Sequence, residues 1–354
     1  MHVKRASLNN QFSVFKGIYD ANVVITGSSG YIGSHLVPKL ADEGVNCIIC
    51  CRDKTKQEYL ENIVSDVNKN KTDKSFCSFV NLDLLNEKDI NKLFHENKPI
   101  DSVIHLSGAA YNSESIVNPR KYYDNNVLAS RNLINSMLDN NINNLLYVST
   151  ASVYSGKNSG RVTERGTVLP KTPYAKTKFM VEQMINDYKI YQLKSGILRL
   201  FNVAGAHSEK DLDIGRNVIT LLLKLIKDNR LFTLMGNNYP TPDGTCIKDF
   251  IHIDDVVNAI YKAASKLMEK DSVSEVFNLG TGAGTSLGEL VRKSIEISGK
   301  DLMIRIGARA EGEVPSLIAN NKKIKQELKW SPQKNIDCII KSCWQWLMKN
   351  GGKL

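Results

Sequence analysis

The segment Asn22-Val-Val-Ile-Thr-Gly-Ser-Ser-Gly-Tyr-Ile-Gly33 predicts the fold of the chain. Its first part, Asn22–Thr26, is a short apolar run typical of a buried strand, and Tyr31–Leu40 has the amphipathic pattern of a helix. The glycines between them allow a tight turn and a close approach of the backbone to a ligand. A strand, a glycine-rich turn and a helix in this order predict a dinucleotide site, with the pyrophosphate at the N-terminus of the helix.

Strand-like runs alternate with helical patterns from residue 21 to about residue 200. The runs are Asn22–Thr26, Cys47–Cys51, Phe76–Val80, Ser102–His105, Leu145–Ser149 and Ile197–Leu200. This alternation predicts an α/β fold with a Rossmann-type doubly wound parallel sheet. We expect residues 1–20 to be an N-terminal extension and residues 21–203 to be the NAD(P)-binding domain. Residues 204–354 are expected to form mainly a smaller, substrate-binding α/β domain, with elements near 250–281 returning to the first sheet.

The composition excludes several classes of protein. The net charge is +10, but no block of Lys and Arg stands out, so we expect a dispersed basic surface and no nucleic-acid partner. No apolar run approaches the ~18 residues of a membrane-spanning helix, and the first twenty residues lack the pattern of a secretory signal. Seven cysteines, an odd number, argue against a disulfide framework and for a reducing cytoplasm.

The sequence predicts no metal site. Cys47 and Cys50 form a CxxC pattern, but they lie on a predicted strand, where positions three apart point to opposite faces. His105 and His252 also lie within predicted strands, and we interpret them as core residues with satisfied hydrogen bonds. Elsewhere the spacing of His, Cys and carboxylates matches no metal motif.

The end of the second strand bears on the choice between NAD and NADP. It reads Cys50-Cys51-Arg52-Asp53, without a carboxylate at the last strand position, where an acidic residue would bind the adenosine ribose. An arginine there can pair with a 2′-phosphate, so Arg52 slightly favours NADP over NAD. In the alternative interpretation Asp53 binds the ribose and Arg52 is only a surface charge.

Other predicted cofactor contacts follow from the positions of the strand ends. Asp83 and Leu84 follow the third strand and suit the adenine edge, and small residues after the fourth strand leave room for the cofactor. The predicted cofactor residues from these patterns are Gly27, Gly30, Tyr31, Ile32, Gly33, Arg52, Asp83, Leu84, Leu106, Ser107 and Gly108.

The pattern Tyr174-Ala-Lys-Thr-Lys178 predicts the catalytic residues. A spacing of four places the phenol and the ammonium on one face of a helix. The pKa of a free tyrosine is about 10, and a neighbouring cation favours the phenolate that can accept a proton. Thr150, at the end of the preceding strand, supplies a hydroxyl that can bond the same substrate oxygen.

These residues resemble the extended short-chain dehydrogenase/reductase superfamily, and within it the nucleotide-sugar 4-epimerases of the UDP-glucose 4-epimerase type. The resemblance runs from Asn22 to about Trp346. Its most specific strings are Glu114-Ser115 with Pro119 and Tyr122-Tyr-Asp-Asn-Asn126, Pro173-Tyr-Ala-Lys-Thr-Lys178, Leu198-Arg-Leu-Phe-Asn-Val-Ala-Gly-Ala-His207 and Tyr239-Pro-Thr-Pro-Asp-Gly-Thr-Cys-Ile-Lys-Asp-Phe-Ile-His252.

The resemblance implies a reaction in which sugar C4 is transiently oxidised by the nicotinamide and reduced again on its other face. It implies that Tyr174 is the base and acid, that Thr150 orients it, and that Lys178 tunes it and holds the nicotinamide ribose. It also places Asn126 beside the nicotinamide. The implied contacts to the nucleotide-diphosphate sugar are Asn202, Asn217 and the segment 236–249, and the implied assembly is a homodimer through helices near 118–138 and 174–191.

The sequence departs from that family at the phosphate-binding cations. Lys248 stands where an arginine is usual, and Arg309-Ala310-Glu-Gly-Glu313 has lost the second arginine of its loop and carries Glu in place of Asp. Lysine offers a point charge where arginine offers two parallel hydrogen bonds. We therefore expect Lys248 and Arg309 to bind the substrate diphosphate more weakly or in a different way. The lysine usual after the fourth strand is replaced by Ala110.

The residues around Thr150 bear on which activity the chain has. A dehydratase carries an acidic pair directly after its catalytic Thr, and here Thr150 is followed by Ala151-Ser152, which sets dehydration aside. We expect a 4-epimerase, and the alternative is an NADPH-dependent 4-keto-reductase of a nucleotide-linked deoxysugar. A non-catalytic dinucleotide sensor is disfavoured because the Thr150, Tyr174 and Lys178 set is intact.

Overall fold

The fold was analysed in a computed structural model that describes residues 18–69, 71, 75–154, 160–208, 211, 214–309 and 313–351. Nearly all of the predicted N-terminal extension, and Ala310, therefore lie outside the described residues. The strands are β1 (Asn22–Thr26), β2 (Asn46–Cys50), β3 (Cys77–Val80), β4 (Ser102–His105), β5 (Asn144–Thr150), β6 (Gly160–Val162), β7 (Lys194–Leu200), β8 (Asn202–Ala204), β9 (Phe232–Met235), β10 (Ile247–His252), β11 (Glu275–Leu279), β12 (Gly284–Ser286), β13 (Ile304–Gly307) and β14 (Ser316–Ala319).

Twelve α-helices connect these strands within the described residues. They are α1 (Tyr31–Asp42), α2 (Lys54–Asn68), α3 (Glu87–Glu96), α4 (Asn112–Val117), α5 (Pro119–Tyr122), α6 (Ala129–Asp139), α7 (Pro173–Asp187), α8 (Val218–Lys227), α9 (Ile253–Leu267), α10 (Leu287–Ser298), α11 (Lys322–Glu327) and α12 (Ile336–Lys349). A π-helical turn, Tyr123–Leu128, joins α5 to α6, and short 3₁₀ turns follow β5 and α7. None of the described helices is long and apolar enough to span a membrane.

The central sheet has seven parallel strands in the order β3-β2-β1-β4-β5-β7-β11. All six strands predicted from sequence are present in it, and the doubly wound fold is confirmed. The strand order reverses between β1 and β4, and a ligand in such a sheet binds at that point, outside the carboxyl ends of the strands.

Alternate residues of each central strand point to opposite faces, and each face packs against its own layer of helices. Val23 and Ile25 of β1 lie in the core formed with α1, α2 and α9, whereas Val24 lies in the core formed with α3, α6 and α7. Cys47 and Cys50 likewise belong to different cores, which confirms that they point to opposite faces. Within the described residues there is no group of His, Cys, Asp or Glu that could hold a metal.

The later elements divide between the central sheet and a smaller region. Helix α9 packs in the core of the central sheet and β11 is its edge strand, whereas β10 joins a second sheet of order β12-β10-β14-β6, with β8 paired to β10. Strands β9 and β13 form a separate pair. Helices α8, α10 and α12 cover this region around a third core that contains Leu222, Leu290 and Trp346.

The glycine turn packs directly against the start of α1. This contact fixes the position of α1 relative to the end of β1. A Cβ on Gly33 would lie 2.3 Å from the Gly27 carbonyl oxygen and 2.6 Å from Ser28 Cα. These are backbone atoms, so the turn would have to open. Gly27 itself has φ +72° and would place a Cβ 2.6 Å from Ser107 N.

We predict that Gly33→Ala destabilises the protein by about 1–3 kcal/mol, because overpacking against backbone cannot be relieved by a rotamer change. Urea unfolding without added cofactor measures this. Gly30→Ala is the matched control, since its Cβ would come no closer than 3.3 Å to the Gly27 oxygen and its φ of −80° is ordinary. Equal stability of the two variants would contradict this account of the turn.

Candidate active site

The residues predicted to bind the cofactor meet at one edge of the central sheet. Because all seven strands are parallel, the turn after β1, Arg52 after β2, Leu106–Gly108 after β4 and Thr150 at the end of β5 share the carboxyl edge. The turn is fixed by two hydrogen bonds. Gly30 N donates to the Gly27 carbonyl over 3.1 Å, and Ser28 Oγ donates to the Cys50 carbonyl over 2.6 Å.

The wall after β4 is held by Asn126. Its Oδ1 accepts a hydrogen bond from Ala109 N (2.7 Å), and its Nδ2 donates to the Ala109 carbonyl (3.1 Å) and to Thr177 Oγ1 (3.0 Å). Gly108 has φ +152°, and a Cβ there would lie 2.9 Å from Asn126 Oδ1. The Asn126 amide is therefore bonded within the protein, and Asn126 shapes the wall that follows β4.

His105 and His252 are buried and hydrogen-bonded, as the sequence predicts. The two ring nitrogens of His105 bond to Thr26 Oγ1 (2.7 Å) and Ser130 Oγ (2.8 Å), and burial lowers the pKa of His105 to about 3. Burial lowers the pKa of His252 to about 4, and its Nδ1 accepts a hydrogen bond from Asp254 N. Both rings are therefore neutral at physiological pH.

At the adenosine end, Arg52 is exposed and lies beside Asp83. The two side chains approach to 3.9 Å between Nη1 and Oδ1. The Asp53 carboxylate caps α2 by accepting a hydrogen bond from Lys56 N (3.2 Å), so it would have to leave that helix to bind a ribose. Leu84, the residue after Asp83, is buried, and its carbonyl accepts a hydrogen bond from Asn132 (3.2 Å).

The catalytic residues predicted from sequence come together at the start of α7. Thr172 caps this helix by accepting a hydrogen bond from Ala175 N (3.2 Å), which places Tyr174 in its first turn. Burial raises the pKa of Tyr174, and a hydrogen bond with the Thr150 hydroxyl acts in the opposite direction. A phenol in this state needs a nearby cation to release its proton at neutral pH.

Lys178, one turn further along α7, is the candidate for that cation. Its side chain is buried, and its Nζ lies 4.1 Å from the centre of the Tyr147 ring. Burial lowers the pKa of Lys178 to about 7, while the charge of Glu182 acts to raise it. The pKa of Lys178 therefore lies near physiological pH, and the charge of this side chain depends on the groups around it.

A second tyrosine, Tyr122, supports Tyr174, although the sequence motif that contains Tyr122 predicts no role for it. The Tyr174 ring packs edge-to-face against Tyr122, with 6.3 Å between ring centres. The Tyr122 hydroxyl donates to Glu114 (2.8 Å) and accepts from Tyr111 N (3.0 Å). Burial, together with the hydrogen bond to Glu114, raises the pKa of Tyr122 to about 12, so it stays neutral beside the catalytic ring.

The two asparagines expected to contact substrate are already bonded within the protein. The Asn202 amide donates to the Asp249 carbonyl (2.9 Å). Asn217 caps α8 by accepting from the N–H groups of Ile219 and Thr220, and its amide donates to the Val203 carbonyl. Both residues therefore shape the region where β8, β10 and α8 meet.

The two predicted phosphate-binding cations are engaged as well. Lys248 Nζ donates to Glu313 Oε2 (2.8 Å), and although burial would lower the pKa of Lys248, Glu313 holds it above the ordinary value. Arg309 Nε donates to Asn238 Oδ1 (2.7 Å), and its guanidinium lies 4.5 Å from the centre of the Tyr239 ring. The departures at 248 and 313 are thus complementary, because the two residues pair with each other.

Sequence reasoning missed another cation beside this region. Arg216 is exposed at the residue before the α8 cap, and its guanidinium lies 5.9 Å from the centre of the Tyr111 ring. The preceding Gly215 has φ +72°, and a Cβ there would strike the Tyr31 ring. Arg216 therefore lies between the glycine turn and the segment after β4. The only sequence signal was its position next to the cap residue Asn217.

The fold and the residues at its edge define an enzyme of the extended short-chain dehydrogenase/reductase class. Residues 23–280 match the family described as the NAD dependent epimerase/dehydratase family. The chain belongs to that family, and the resemblance seen in its motifs is confirmed.

Similar proteins support the same family over most of the chain. The chain is 33% identical over 340 residues to the UDP-glucose 4-epimerase of Dictyostelium discoideum, covering 94% of this chain and 97% of that protein. It is also 33% identical over 343 residues to UDP-glucose 4-epimerase 2 of Oryza sativa subsp. japonica, covering 93% of this chain and 82% of that protein.

Solved structures agree with these relatives. The UDP-glucose 4-epimerase of Stenotrophomonas maltophila, with bound NAD and formylated UDP-arabinopyranose, has a TM-score of 0.85 at 28% identity, covering 94% of this chain and 99% of that one. The Bifidobacterium longum enzyme in complex with NAD+ and UDP has a TM-score of 0.83 at 27% identity, covering 94% and 100%.

Proposed function

We propose that this chain is a nucleotide-sugar 4-epimerase that acts on UDP-hexoses. The observation that carries the proposal is the set of Thr150, Tyr174 and Lys178 at the same sheet edge as the glycine turn. Named relatives support the UDP-hexose class, since they are UDP-glucose 4-epimerases and one structural neighbour holds NAD+ and UDP. Residues 21–203, with α9 and β11, would bind the dinucleotide, and the region after residue 204 would bind mainly the sugar nucleotide.

The residues present fit a bound NAD. The backbone is bare at Gly27 and Gly33, where a Cβ would strike other backbone atoms, and the positive φ of Gly108 keeps the wall after β4 free of a side chain. The first N–H groups of α1 face the turn and suit a pyrophosphate. The residues that would hold the cofactor are Gly27, Gly30, Tyr31, Ile32, Gly33, Asp83, Leu84, Leu106, Ser107, Gly108, Asn126, Tyr174 and Lys178.

The chain's own residues supply the proton chemistry at sugar C4. A bound nicotinamide would supply the reversible hydride transfer to and from C4. The Tyr174 oxygen takes the proton of the 4-hydroxyl during oxidation and gives it back during reduction. The Thr150 hydroxyl orients that oxygen, and the Lys178 ammonium favours its anionic form. Lys248, Arg309 and Arg216 would supply positive charge to the diphosphate.

We predict that Tyr174→Phe lowers kcat for the interconversion of UDP-glucose and UDP-galactose at least about a hundredfold, because the proton acceptor is removed. Cofactor binding should stay near that of the wild type, since the ring and its contact with Tyr122 remain. Tyr188→Phe, in the 3₁₀ turn that follows the same helix, is the matched control. Full activity of Tyr174→Phe would refute the assignment.

The finer choice of cofactor rests on Arg52. We propose that the site accepts NADP in addition to NAD. The exposed contact between Arg52 and Asp83 is weak, and Arg52 can exchange it for a 2′-phosphate. Asp53 is committed to capping α2, which favours this interpretation over ribose binding by Asp53. The same observation favours the second candidate function, a 4-keto-reductase that consumes NADPH.

We predict that Arg52→Ala weakens NADP+ binding about tenfold or more and leaves NAD+ binding unchanged, because one charged hydrogen bond to the 2′-phosphate is lost. Calorimetric titration of protein freed of bound nucleotide measures both affinities. Lys54→Ala is the control for general loss of positive charge. Wild-type protein that binds only NAD+, or an Arg52→Ala variant with unchanged NADP+ affinity, would contradict the proposal.

We also propose a homodimer through the helices that carry Tyr122 and Tyr174. Large apolar side chains are exposed on these helices or on the segments that flank them, including Val117 on α4 (82%), Leu128 in the π-helical turn (42%) and Met180 on α7 (44%). Exposed apolar side chains on neighbouring elements support an interface there. All seven cysteines are free thiols, which supports a cytoplasmic location for the assembly.

We predict that the protein sediments as a dimer and that Met180→Glu shifts it toward monomer, because a buried, unpaired carboxylate opposes association. Sedimentation velocity at several protein concentrations measures this shift. Ile306→Glu is the control, since Ile306 is also exposed (55%) but lies on β13. A monomeric wild type, or a variant that remains fully dimeric, would contradict the interface.

A further inference from the structure

A buried ion pair lies behind the catalytic helix. Arg199 on β7 donates to both carboxylate oxygens of Glu182 on α7, with Nε 3.1 Å from each and Nη2 2.6 Å from Oε2. The two side chains are only 7% and 5% exposed. The Ser149 hydroxyl also donates to Glu182. The proposed proton transfer at Tyr174 uses none of these three residues directly.

Arg199 is itself anchored on its other side. Its Nη1 donates to the Tyr154 hydroxyl (2.7 Å) and to the Glu164 carbonyl (3.1 Å). The Tyr154 hydroxyl donates in turn to Asn278 Oδ1 on β11 (2.8 Å). The guanidinium therefore has partners on several elements, and the position and orientation of the Glu182 carboxylate are fixed.

The Glu182 carboxylate lies one helical turn from Lys178, on the same face of α7. Lys178 and Glu182 are one helical turn apart on α7, a rise of about 6 Å. They lie over Tyr147 and Ser149, which are two residues apart on one face of β5, a rise of about 6.6 Å. The contacts of Lys178 with the Tyr147 ring and of Glu182 with the Ser149 hydroxyl therefore hold both side chains against the same face of β5.

Apart from Glu182, few groups around Lys178 can stabilise its positive charge. The groups that face it or its neighbours are the neutral phenols of Tyr147 and Tyr174, the neutral ring of His105, and the Glu182–Arg199 pair. In the described part of the chain no carboxylate lies within ion-pair distance of Lys178 Nζ. Burial brings the pKa of Lys178 to about 7, and the charge that opposes this is that of Glu182.

We propose that Glu182 is a positioning residue for the proposed epimerase reaction, holding Lys178 in its charged form beside Tyr174, with Arg199 and Ser149 fixing the carboxylate. This inference rests on the proposed function, because it concerns how the proton acceptor is tuned. It assigns a role to a buried pair that otherwise only joins α7 to β7. The pair is then part of the electrostatics of the site.

The variant that tests it is Glu182→Gln, which keeps the shape of the side chain but removes its charge and one of its two acceptor oxygens. Loss of the negative charge lowers the pKa of Lys178, so the ammonium is lost at lower pH. We expect the alkaline limb of the kcat profile to move to lower pH by about one unit, which is about a tenfold loss of kcat above the limb. Below the limb, kcat and KM should stay near the wild type.

A second measurement reports on Lys178 without turnover. Competitive acetylation with trace acetic anhydride over a range of pH, read by peptide mass spectrometry, gives the midpoint of the Lys178 amine. That midpoint should fall by about one unit in Glu182→Gln, while exposed lysines keep theirs. Asp187→Asn is the matched control, because it removes one negative charge from the same helix at an exposed position.

Glu182→Gln leaves Arg199 buried without a carboxylate, so the double variant Glu182→Gln with Arg199→Gln keeps the site electrically balanced if the single variant does not fold. It should move the limb and the acetylation midpoint in the same direction, by less. A wild-type limb and midpoint in folded Glu182→Gln, or in the double variant when the single one does not fold, would overturn the inference and leave a structural role. An active Tyr174→Phe variant would instead overturn the proposed function.

Discussion

A buried ammonium beside a buried phenol is the constraint on which the active site depends. Transfer of a charge from water to the interior of a protein is costly, and the group usually responds by becoming neutral. Lys178 must nevertheless be charged if Tyr174 is to accept a proton near neutral pH. The described surroundings meet this demand with an aromatic ring, a neutral histidine and a carboxylate one turn away, and β4, β5, α7 and β7 each contribute.

The glycine turn meets a different demand at the same sheet edge. It brings the start of α1 against the end of β1 so closely that a Cβ has no room, and the N-terminus of the helix can then face a pyrophosphate. The parallel order of the strands places this anion site and the proton site side by side. An arrangement of this kind lets one bound dinucleotide reach both the turn and the tyrosine.

Much of this could be predicted from sequence because the signals are local. The strand Asn22–Thr26, the glycine turn and the spacing of Tyr174 and Lys178 each reflect a rule that acts within a few residues. The opposite faces of Cys47 and Cys50 follow from the two-residue period of a strand.

The features that sequence reasoning missed depend on contacts between distant segments. Glu182 and Arg199 come into contact only when α7 packs on β7. Arg216 lies near Tyr111 only when the smaller region packs against the central sheet. The pairing of Lys248 with Glu313 joins residues 65 positions apart, and it turns two departures from the family pattern into one complementary change. No periodicity along the chain contains such information.

The most direct test of the central claim is to incubate the purified protein with UDP-galactose in deuterated water, without added cofactor, and to follow sugar C4 by proton NMR. The account predicts a mixture of the two C4 epimers in which C4 keeps its original hydrogen, because the hydride leaves and returns without exchange with solvent. Deuterium at C4, or turnover only while NADPH is consumed, would contradict it.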